Sequence, residues 1–476
     1  MGDIRAGTPA ARWVLIATIL GSGIAFLDGS VVNVVLPRVA TSLSAGFTTM
    51  QWVLDAYLLT LGAFVLVGGA LGDLLGRRAV FVTGLVGFGL ASAACGAAPN
   101  GGWLVAARAV QGVAAALLVP GSLALITALF AAADRDRAIG TWSGLAGLAT
   151  ALGPFAGGWL VSVASWRWVF LLNLPLVAAA TWVTLRHVPE SREAAAYAVD
   201  ARPCRDTRDL DLPGATLVAV ALGLLVLPLI ERTLPAGVRV AAVGGAVVAG
   251  AAFLFVELHT RRPMVPLQVV RSRVFAVANV ITFAVYGALG GGLFLLAVQL
   301  QTGLGYSPLE AGATLLPLTL LLLLFSSRVG ALVPKIGARP LLTVGPVLAG
   351  AGLALLAAAV PGASYWTAVL PGVLVFSIGM CLVVAPITST ALGALDRAHA
   401  GLASGVNNAV ARVAGLVAVA VLPAVAGAQG GTQIPADGYR TAMFVAAGLT
   451  AAGGLVAFVA LPRHTAQLAA PDTVAA

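Results

Sequence analysis

The sequence predicts an all-α integral membrane protein with about fourteen transmembrane helices. Of its 476 residues, 60% are hydrophobic and only 9% are charged, whereas about a quarter of the residues of a soluble domain are charged. The apolar residues recur in runs of about 18 or more, long enough to cross a hydrocarbon core of about 30 Å. Arginines cluster in the short segments between these runs, where basic residues set the orientation of a membrane protein.

Glycine, proline and charged residues interrupt the apolar runs and mark the ends of the predicted helices. The first stretch, about 13–36, is too long for a signal peptide and is predicted to be the first spanning helix. The predicted helices form groups of six, two and six, at about 13–36, 50–71, 79–98, 103–128, 139–163, 168–186, 212–230, 238–256, 275–299, 311–333, 341–360, 366–392, 402–425 and 441–461.

The basic residues predict the orientation. With the N-terminus in the cytoplasm, 20 of the 27 basic residues fall in predicted inner segments and five in outer ones, while Arg108 and Arg412 lie within the membrane. This bias predicts a multi-pass protein of a bacterial plasma membrane with both termini in the cytoplasm. It also accounts for the net charge of +9 without a nucleic-acid partner. The expected partners are the bilayer, protons and a small-molecule substrate, and a monomer is expected.

A repeated loop indicates two related halves. GALGDLLGRR (69–78) follows the second predicted helix and GALVPKIGAR (330–339) follows the tenth, with five of ten positions identical. Chance similarity in a chain rich in small residues is the alternative, but repeated six-helix units are common in transporters. The predicted divisions are a six-helix half at 1–190, a cytoplasmic linker at 191–211, two inserted helices at 212–258 and a second half at 259–476.

The first of these loops resembles the loop signature of the major facilitator superfamily. The positions that carry the resemblance, together with Leu71, are Gly69, Asp73, Gly76, Arg77 and Arg78. Gly76 permits a tight turn, and Asp73 is expected to face the positive N-terminus of a neighbouring helix. Such a charged latch can form in one conformation and break in another. Leu74 departs from the usual polar residue, and a loop that only sets topology is the alternative interpretation.

Further stretches are similar to the fourteen-helix drug:proton antiporter branch of that superfamily: LDGSVVNVVLP (27–37), QWVLDAYLL (51–59), WRWVFLLNLP (166–175) and GVNNAVARVAG (405–415). GLATALGPFAGG (147–158) resembles the antiporter signature of exporters, with Gly153, Pro154, Gly157 and Gly158 in place. The proline bends the helix, and Gly144, Gly157 and Gly158 are expected to let another helix approach closely. Ordinary small-residue packing is the alternative to a gating role.

Three ionisable residues lie at similar depth in the first six predicted helices: Asp28, Asp55 and Arg108. Charges inside a bilayer are costly and usually functional. The resemblance associates the helix 1 acid and the helix 4 arginine with proton coupling, so we expect Asp28 to carry the proton and Arg108 to tune it. A static ion pair is the alternative. Asp55 is expected to be a second proton site, to bind substrate or to reach the outer interface. A cationic substrate competing with the proton for a carboxylate is one route to exchange.

Polar residues of the predicted helices 1 and 13 are candidates for the substrate cavity: Asn33, Asn407, Asn408 and Arg412. Asparagines can equally hydrogen-bond neighbouring helices. Arg412 lies near the middle of its helix and needs an acceptor.

The sequence favours a transporter over an enzyme. No nucleophile–base pair is visible at membrane depth, the three cysteines lack metal or disulfide spacing, and no phosphate-binding glycine loop is present. We therefore expect no metal and no cofactor, the proton gradient being the energy source. The expected function is proton-coupled export of small organic molecules such as drugs or antibiotics. An exporter or importer of an endogenous metabolite on the same scaffold is the alternative.

Overall fold

The computed structural model describes residues 4–191, 211–260, 272–395, 400–428 and 433–462, and this part of the chain is helical apart from one isolated bridge, Ile4 to Phe130. Fourteen helices in it are long and apolar enough to cross a membrane. Numbered α1 to α14, they are Pro9–Ser42, Phe47–Leu75, Arg77–Gly96, Gly101–Leu129, Ala132–Val163, Arg167–His187, Leu212–Ile230, Ala236–His259, Arg273–Thr302, Pro308–Gly330, Ala338–Leu356, Tyr365–Gly393, Ala400–Val425 and Ala436–Ala460. The predicted all-α membrane fold and its fourteen spans are confirmed.

Several helices extend beyond their apolar stretches, and α1 shows why. It runs from Pro9 to Ser42, beyond the predicted span at 13–36. The Thr8 hydroxyl accepts a hydrogen bond from the Ala11 N–H at 3.2 Å, and proline occupies the first helical position, an arrangement that starts a helix. Hydropathy therefore locates the part of a helix that lies in the membrane, whereas capping residues locate its ends.

Two spans are interrupted just before a proline. The helical run of α6 breaks at Leu172, ahead of Pro175, and that of α10 breaks at Leu315, ahead of Pro317. A proline has no N–H to donate to the preceding turn, so the helix opens there. The first turn of α12, Tyr365–Val369, is a π-helix. The break in α6 matters most, because it precedes a polar residue of the site described below.

The helices pack in two groups with a pair between them. In the first group α1 packs on α5 and α6, and α4 packs on α2 and α3; in the last group α9 packs on α13 and α14, and α11 packs on α12 and α14. The central helices α7 and α8 pack on each other, and α7 also contacts α2 and α13. The indole N–H of Trp52 on α2 donates to the Glu231 carboxylate at the end of α7 at 2.9 Å. The division into two halves stays a prediction, and the predicted linker falls almost wholly outside the described residues.

The repeated loops adopt the same local conformation. Gly76 has φ +107° and caps α3, while Gly337 has φ +80° and caps α11. A positive φ disfavours residues with a Cβ, which explains why glycine occupies both positions.

The arginine two residues after each of these glycines makes the same contact. Arg78 donates to the carbonyl oxygen of Leu185 at 2.5 Å, and Arg339 donates to that of Phe458. Leu185 and Phe458 are each the third residue from the end of their helices, α6 and α14. The sequence echo is therefore matched by an equivalent anchor onto the sixth helix of each group.

Hydrogen bonds join the two groups toward the face opposite the N-terminus. The Gln301 amide, at the end of α9, donates to the Val34 carbonyl oxygen of α1 at 2.7 Å. Gln51, at the start of α2, donates to the Val419 carbonyl oxygen of α13 at 2.9 Å. Near the N-terminal face, by contrast, a Cβ at Gly140 or Gly147 of α5 would have no atom within 4 Å.

Candidate functional site

Asp28 and Arg108 form a buried ion pair between α1 and α4. Arg108 Nη1 lies 2.5 Å from Asp28 Oδ2, and neither side chain is exposed to solvent. The similar membrane depths of the two residues, as predicted from the sequence, show only that they can meet. The structure brings them into contact. Further hydrogen bonds to the two charged groups offset the cost of burying such a pair.

Neutral amides complete the shell of the Asp28 carboxylate. The side-chain amides of Gln111 and Asn173 each donate to Asp28 Oδ1 at 3.0 Å. The Gln111 carbonyl oxygen accepts from Arg108 Nη1 at 2.8 Å. The Ser92 hydroxyl accepts from Asn173 at 2.9 Å. Among the described residues, every hydrogen bond to this carboxylate thus comes from an N–H donor.

Sequence reasoning missed these three residues. Gln111 stands three positions after Arg108, so the two share a helix face, and this spacing was the available signal. Asn173 lies at the break ahead of Pro175, and Ser92 lies on a third helix. Only packing reveals that they converge on Asp28.

Arg108 is held by two further contacts, with the Val53 carbonyl oxygen and the Tyr57 ring. Its Nε donates to the Val53 carbonyl oxygen of α2 at 3.0 Å. Its guanidinium lies 4.2 Å from the centre of the Tyr57 ring, and the Tyr57 hydroxyl donates to the Ala25 carbonyl oxygen at 3.2 Å. In the described part of the chain, Nη2 has no hydrogen-bond partner. One donor of this arginine is therefore available when the surroundings rearrange.

Asp55 is buried away from this network. Its side chain is 0% exposed, and within the described ranges neither carboxyl oxygen has a hydrogen-bond partner. It lies on α2 between two contacts with α13: the bond of Gln51 to Val419 and the approach of Gly62 to Arg412. Asp55 therefore lies near the boundary between the two groups, and its complete burial disagrees with a side chain that reaches the outer interface.

The glycines of the antiporter-like stretch bring α5 against α1 close to Asp28. A Cβ at Gly153 would collide with the Ser30 hydroxyl, and a Cβ at Gly157 would press on the Val31 side chain. Ser30 and Val31 follow Asp28 by less than one helical turn. Therefore α5 packs directly against the turn of α1 that carries Asp28.

The next residues of α5 contact the opposite group. A Cβ at Gly158 would collide with the Pro308 carbonyl oxygen of α10, and one at Gly312 of α10 would collide with the Pro154 carbonyl oxygen. The predicted close approach at Gly157 and Gly158 is therefore found. The same prediction for Gly144 was wrong: a Cβ there would have no atom within 4 Å, because this part of α5 lies away from that crossing.

A polar cavity of about 120 Å³ lies among α9, α12 and α13. Its lining includes Tyr286, Asn407, Asn408 and Arg412. The Arg412 guanidinium lies 5.7 Å from the Phe26 ring of α1, so the cavity also borders the first group. Of the four predicted cavity residues, the structure brings three together here; Asn33 is absent from the lining.

The two asparagines also make bonds within the protein. The Asn407 amide donates to the Thr282 hydroxyl of α9 at 2.8 Å and to Asn279 at 3.2 Å. Asn408 donates to the Ser404 carbonyl oxygen at 3.1 Å, within its own helix. Asn407 thus also links α13 to α9, as the alternative interpretation anticipated.

In the described residues no group of three histidine, cysteine or acidic side chains can hold a metal ion.

A family model described as Major Facilitator Superfamily matches residues 18–419. The chain belongs to the major facilitator superfamily. It is 35% identical to the puromycin resistance protein pur8 of Streptomyces alboniger, over 96% of this chain and 92% of that protein. It is 36% identical to the multidrug resistance protein Stp of Mycobacterium tuberculosis, over 86% and 75% of the two chains. The methylenomycin A resistance protein of Bacillus subtilis is 34% identical over 86% of each.

Solved structures agree on the fold of this superfamily member. A crystal structure of a POT family transporter in complex with 5-aminolevulinic acid matches with a TM-score of 0.70, covering 94% of each chain at 14% identity. The human organic anion transporter MFSD10 matches with a TM-score of 0.62, covering 94% of this chain and 100% of that one. At these identities the likeness concerns the fold alone.

The superfamily loop contains an ion pair of its own. Asp73 and Arg77 lie one helical turn apart, with Arg77 Nη2 2.9 Å from Asp73 Oδ1. Gly69 lies further back on α2, where a Cβ would make ordinary contact with Pro120 of α4. Asp73 is 43% exposed, and its ion-pair partner is this arginine side chain rather than a backbone helix terminus.

A different acid lies at the N-terminus of α3. The Glu190 carboxylate accepts the backbone N–H of Arg78 at 3.1 Å and that of Ser191 at 3.2 Å. A Cβ at Gly76 would lie 2.7 Å from the same carboxylate, so the Glu190 side chain would have to shift to admit one. Sequence reasoning assigned the helix-terminus role to Asp73, whereas the structure assigns it to Glu190.

Proposed function

We propose that this chain exports small organic molecules, such as drugs or antibiotics, across a bacterial plasma membrane in exchange for protons. The observation that carries the proposal is the carboxylate of Asp28, wholly buried and surrounded by three N–H donors from two neighbouring helices, α4 and α6. Ionisable groups in a membrane interior are usually part of an ion pathway. The resistance proteins named above support export as the direction of transport.

Asp28 is the proton carrier and Arg108 is its tuning partner in this proposal. In the present arrangement Arg108 and two side-chain amides all donate to this carboxylate. Taking up a proton removes the charge that holds Arg108, so the pair separates and its amide partners rearrange. Losing the proton on the other side of the membrane restores the pair.

Asp55 is the second proton site in this proposal. An ionised carboxylate without a partner is very costly to bury, so Asp55 is stored as the neutral acid in this conformation. It releases its proton when the boundary between α2 and α13 opens.

The packing supports an inward-facing conformation, with the termini in the cytoplasm. The contacts of α5 with α10 and of α1 with α9 close the face opposite the N-terminus. Because α5 contacts both α1 beside Asp28 and α10 of the other group, a rearrangement at Asp28 is transmitted directly to this closed contact. The loop at Asp73 to Arg78 forms and breaks its contacts as the opposite face opens and closes.

In this proposal the transporter acts as a monomer and without a cofactor. Its substrate binds the polar cavity at Arg412. Reconstitution into liposomes with an imposed pH gradient tests the proposal. A panel of dyes and antibiotics is supplied, and both substrate flux and proton flux are followed. Substrate movement that requires the gradient and dissipates it is expected; substrate movement unaffected by the gradient would overturn proton coupling.

A further inference from the structure

Arg412 is a cation at membrane depth for which the described residues supply no ion-pair partner. Within the described ranges no ion pair or hydrogen bond is formed by its guanidinium, whose closest aromatic neighbour is Phe26 at 5.7 Å. Its side chain is neither fully buried nor fully exposed, and it lines the polar cavity. Arg108, the other intramembrane arginine, differs in being fully buried and paired with Asp28.

The groups that face Arg412 from α1, α9, α12 and α13 are neutral, and α2 approaches its Cβ with Gly62. Tyr286 faces the cavity from α9, Thr388 from α12 and Asn408 from α13, while Phe26 covers the α1 side. Asp28 is already committed to Arg108. A cation in a low-dielectric site is stabilised by an anion or by several hydrogen-bond acceptors, and the protein leaves this requirement open.

We propose that Arg412 binds a carboxylate group of the transported molecule, with Tyr286 and Asn408 as additional hydrogen-bond donors. The guanidinium presents paired N–H groups in the geometry that a carboxylate accepts. The inference rests on the proposed transport function, and it specifies that the substrates recognised at this cavity are organic acids.

The size of the cavity restricts what it holds. A volume of about 120 Å³ is smaller than the roughly 300–1,000 Å³ of sites that enclose a drug-sized ligand. The cavity therefore holds the acidic end of a molecule whose remaining part extends between the two groups of helices. Binding also neutralises Arg412, which lowers the cost of enclosing it when the groups move.

Equilibrium binding to the purified full-length protein tests this site. The probes are three dansyl compounds of similar size: dansylglycine, its methyl ester and an analogue carrying a trimethylammonium group. Fluorescence of the dansyl group reports binding. A charge-assisted hydrogen bond contributes about 1.5–3 kcal/mol, which corresponds to roughly a 10- to 100-fold preference for the acid over the ester.

Substitutions of Arg412 distinguish the effect of its charge on binding from a general effect on folding. Arg412→Gln is expected to abolish the preference while leaving the affinity for the ester within about twofold, and Arg412→Lys is expected to retain part of it because lysine keeps the charge without the paired N–H geometry. Arg440→Gln, at an exposed arginine of α14, is the matched control and leaves the preference intact. The proposal would be overturned if the wild type bound acid and ester with equal affinity, or if it bound none of the probes. It would also be overturned if Arg412→Gln weakened binding of the acid and the ester equally.

Transport of the same probes in liposomes distinguishes this site from the proposed function. If dansylglycine binds in an Arg412-dependent manner but a pH gradient does not move it, the binding site stands and proton-driven export fails. The opposite result is that the acid does not bind, the gradient drives transport of the trimethylammonium probe, and Arg412→Gln leaves that flux unchanged. In that case export stands and the organic-acid site fails.

Discussion

Arg108 and Asp28 lie 80 residues apart in the sequence, yet Arg108 Nη1 lies 2.5 Å from Asp28 Oδ2 with neither side chain exposed. Their contact joins α1 to α4, and the surrounding amides fix its geometry. A buried pair of this kind has two possible roles, as a fixed structural bridge or as a site that opens when a proton arrives. The first prediction separates the two.

Asp28→Asn is expected to abolish pH-driven exchange and to lower the free energy of unfolding by about 3–5 kcal/mol, because the Arg108 charge is left unpaired. Adding Arg108→Gln removes that charge and should recover part of the stability, measured by thermal unfolding in detergent. Proton-driven flux in liposomes should remain absent in the double variant. Recovery of both stability and flux would mean that the pair is only a structural bridge.

Asp55→Asn is expected to leave the unfolding temperature within a few degrees of the wild-type value. Asparagine resembles the neutral acid, and no ion pair is lost because the described residues offer Asp55 none. Such a change lies within the usual range of about 0.5 kcal/mol for substitutions that remove no interaction. Simultaneous measurement of proton and substrate flux should show fewer protons exchanged per substrate. A stability loss as large as that of Asp28→Asn would contradict a neutral Asp55.

Gly158→Ala is expected to destabilise the conformation in which α5 crosses α10, since the added methyl group collides with the Pro308 carbonyl oxygen. Overpacking typically costs about 1–3 kcal/mol. Thiol-labelling of an introduced cysteine at Val34, near the closed face, should become faster in this variant.

Gly144→Ala is the matched control on the same helix. Open space surrounds Gly144, so the substitution should leave labelling unchanged and stabilise the helix by about 0.5–1 kcal/mol. Equal labelling rates in the two variants would show that the Gly158 contact does not hold this face closed.

Gly76→Ala is expected to destabilise the loop between α2 and α3 for two reasons. Its φ of +107° costs roughly 1–2 kcal/mol for a residue with a Cβ, and the new methyl group presses on the Glu190 carboxylate. Adding Glu190→Ala should relieve the second cost but not the first, so thermal unfolding should show partial recovery. Full recovery, or none, would contradict this division.

The fold was largely predictable because hydropathy reports membrane crossing directly. An apolar run of sufficient length has few alternatives to a spanning helix, so the fourteen spans followed from composition. The glycine turn at 76 followed from the loop signature, since glycine is the residue that adopts a positive φ without strain. Helix ends were predicted less well, since caps such as Thr8 lie in polar sequence.

The site was predictable only in part, because the depth of a residue does not specify the direction of its side chain. Asp28, Asp55 and Arg108 have similar depths, yet the structure pairs two and isolates the third. Neutral polar residues such as Gln111 cost less to bury in a membrane than charged residues do, so the sequence does not mark them as functional candidates. Glu190 was missed since it adjoins a charged stretch in which any acid is expected to be solvated.

The matched anchors of Arg78 and Arg339 bear on the history of the chain. Each arginine lies two residues after a positive-φ glycine and donates to the third residue from the end of the sixth helix of its group. Two unrelated six-helix segments would have no reason to converge on one register at all three points. The match at all three points is what an internal duplication of a six-helix segment predicts.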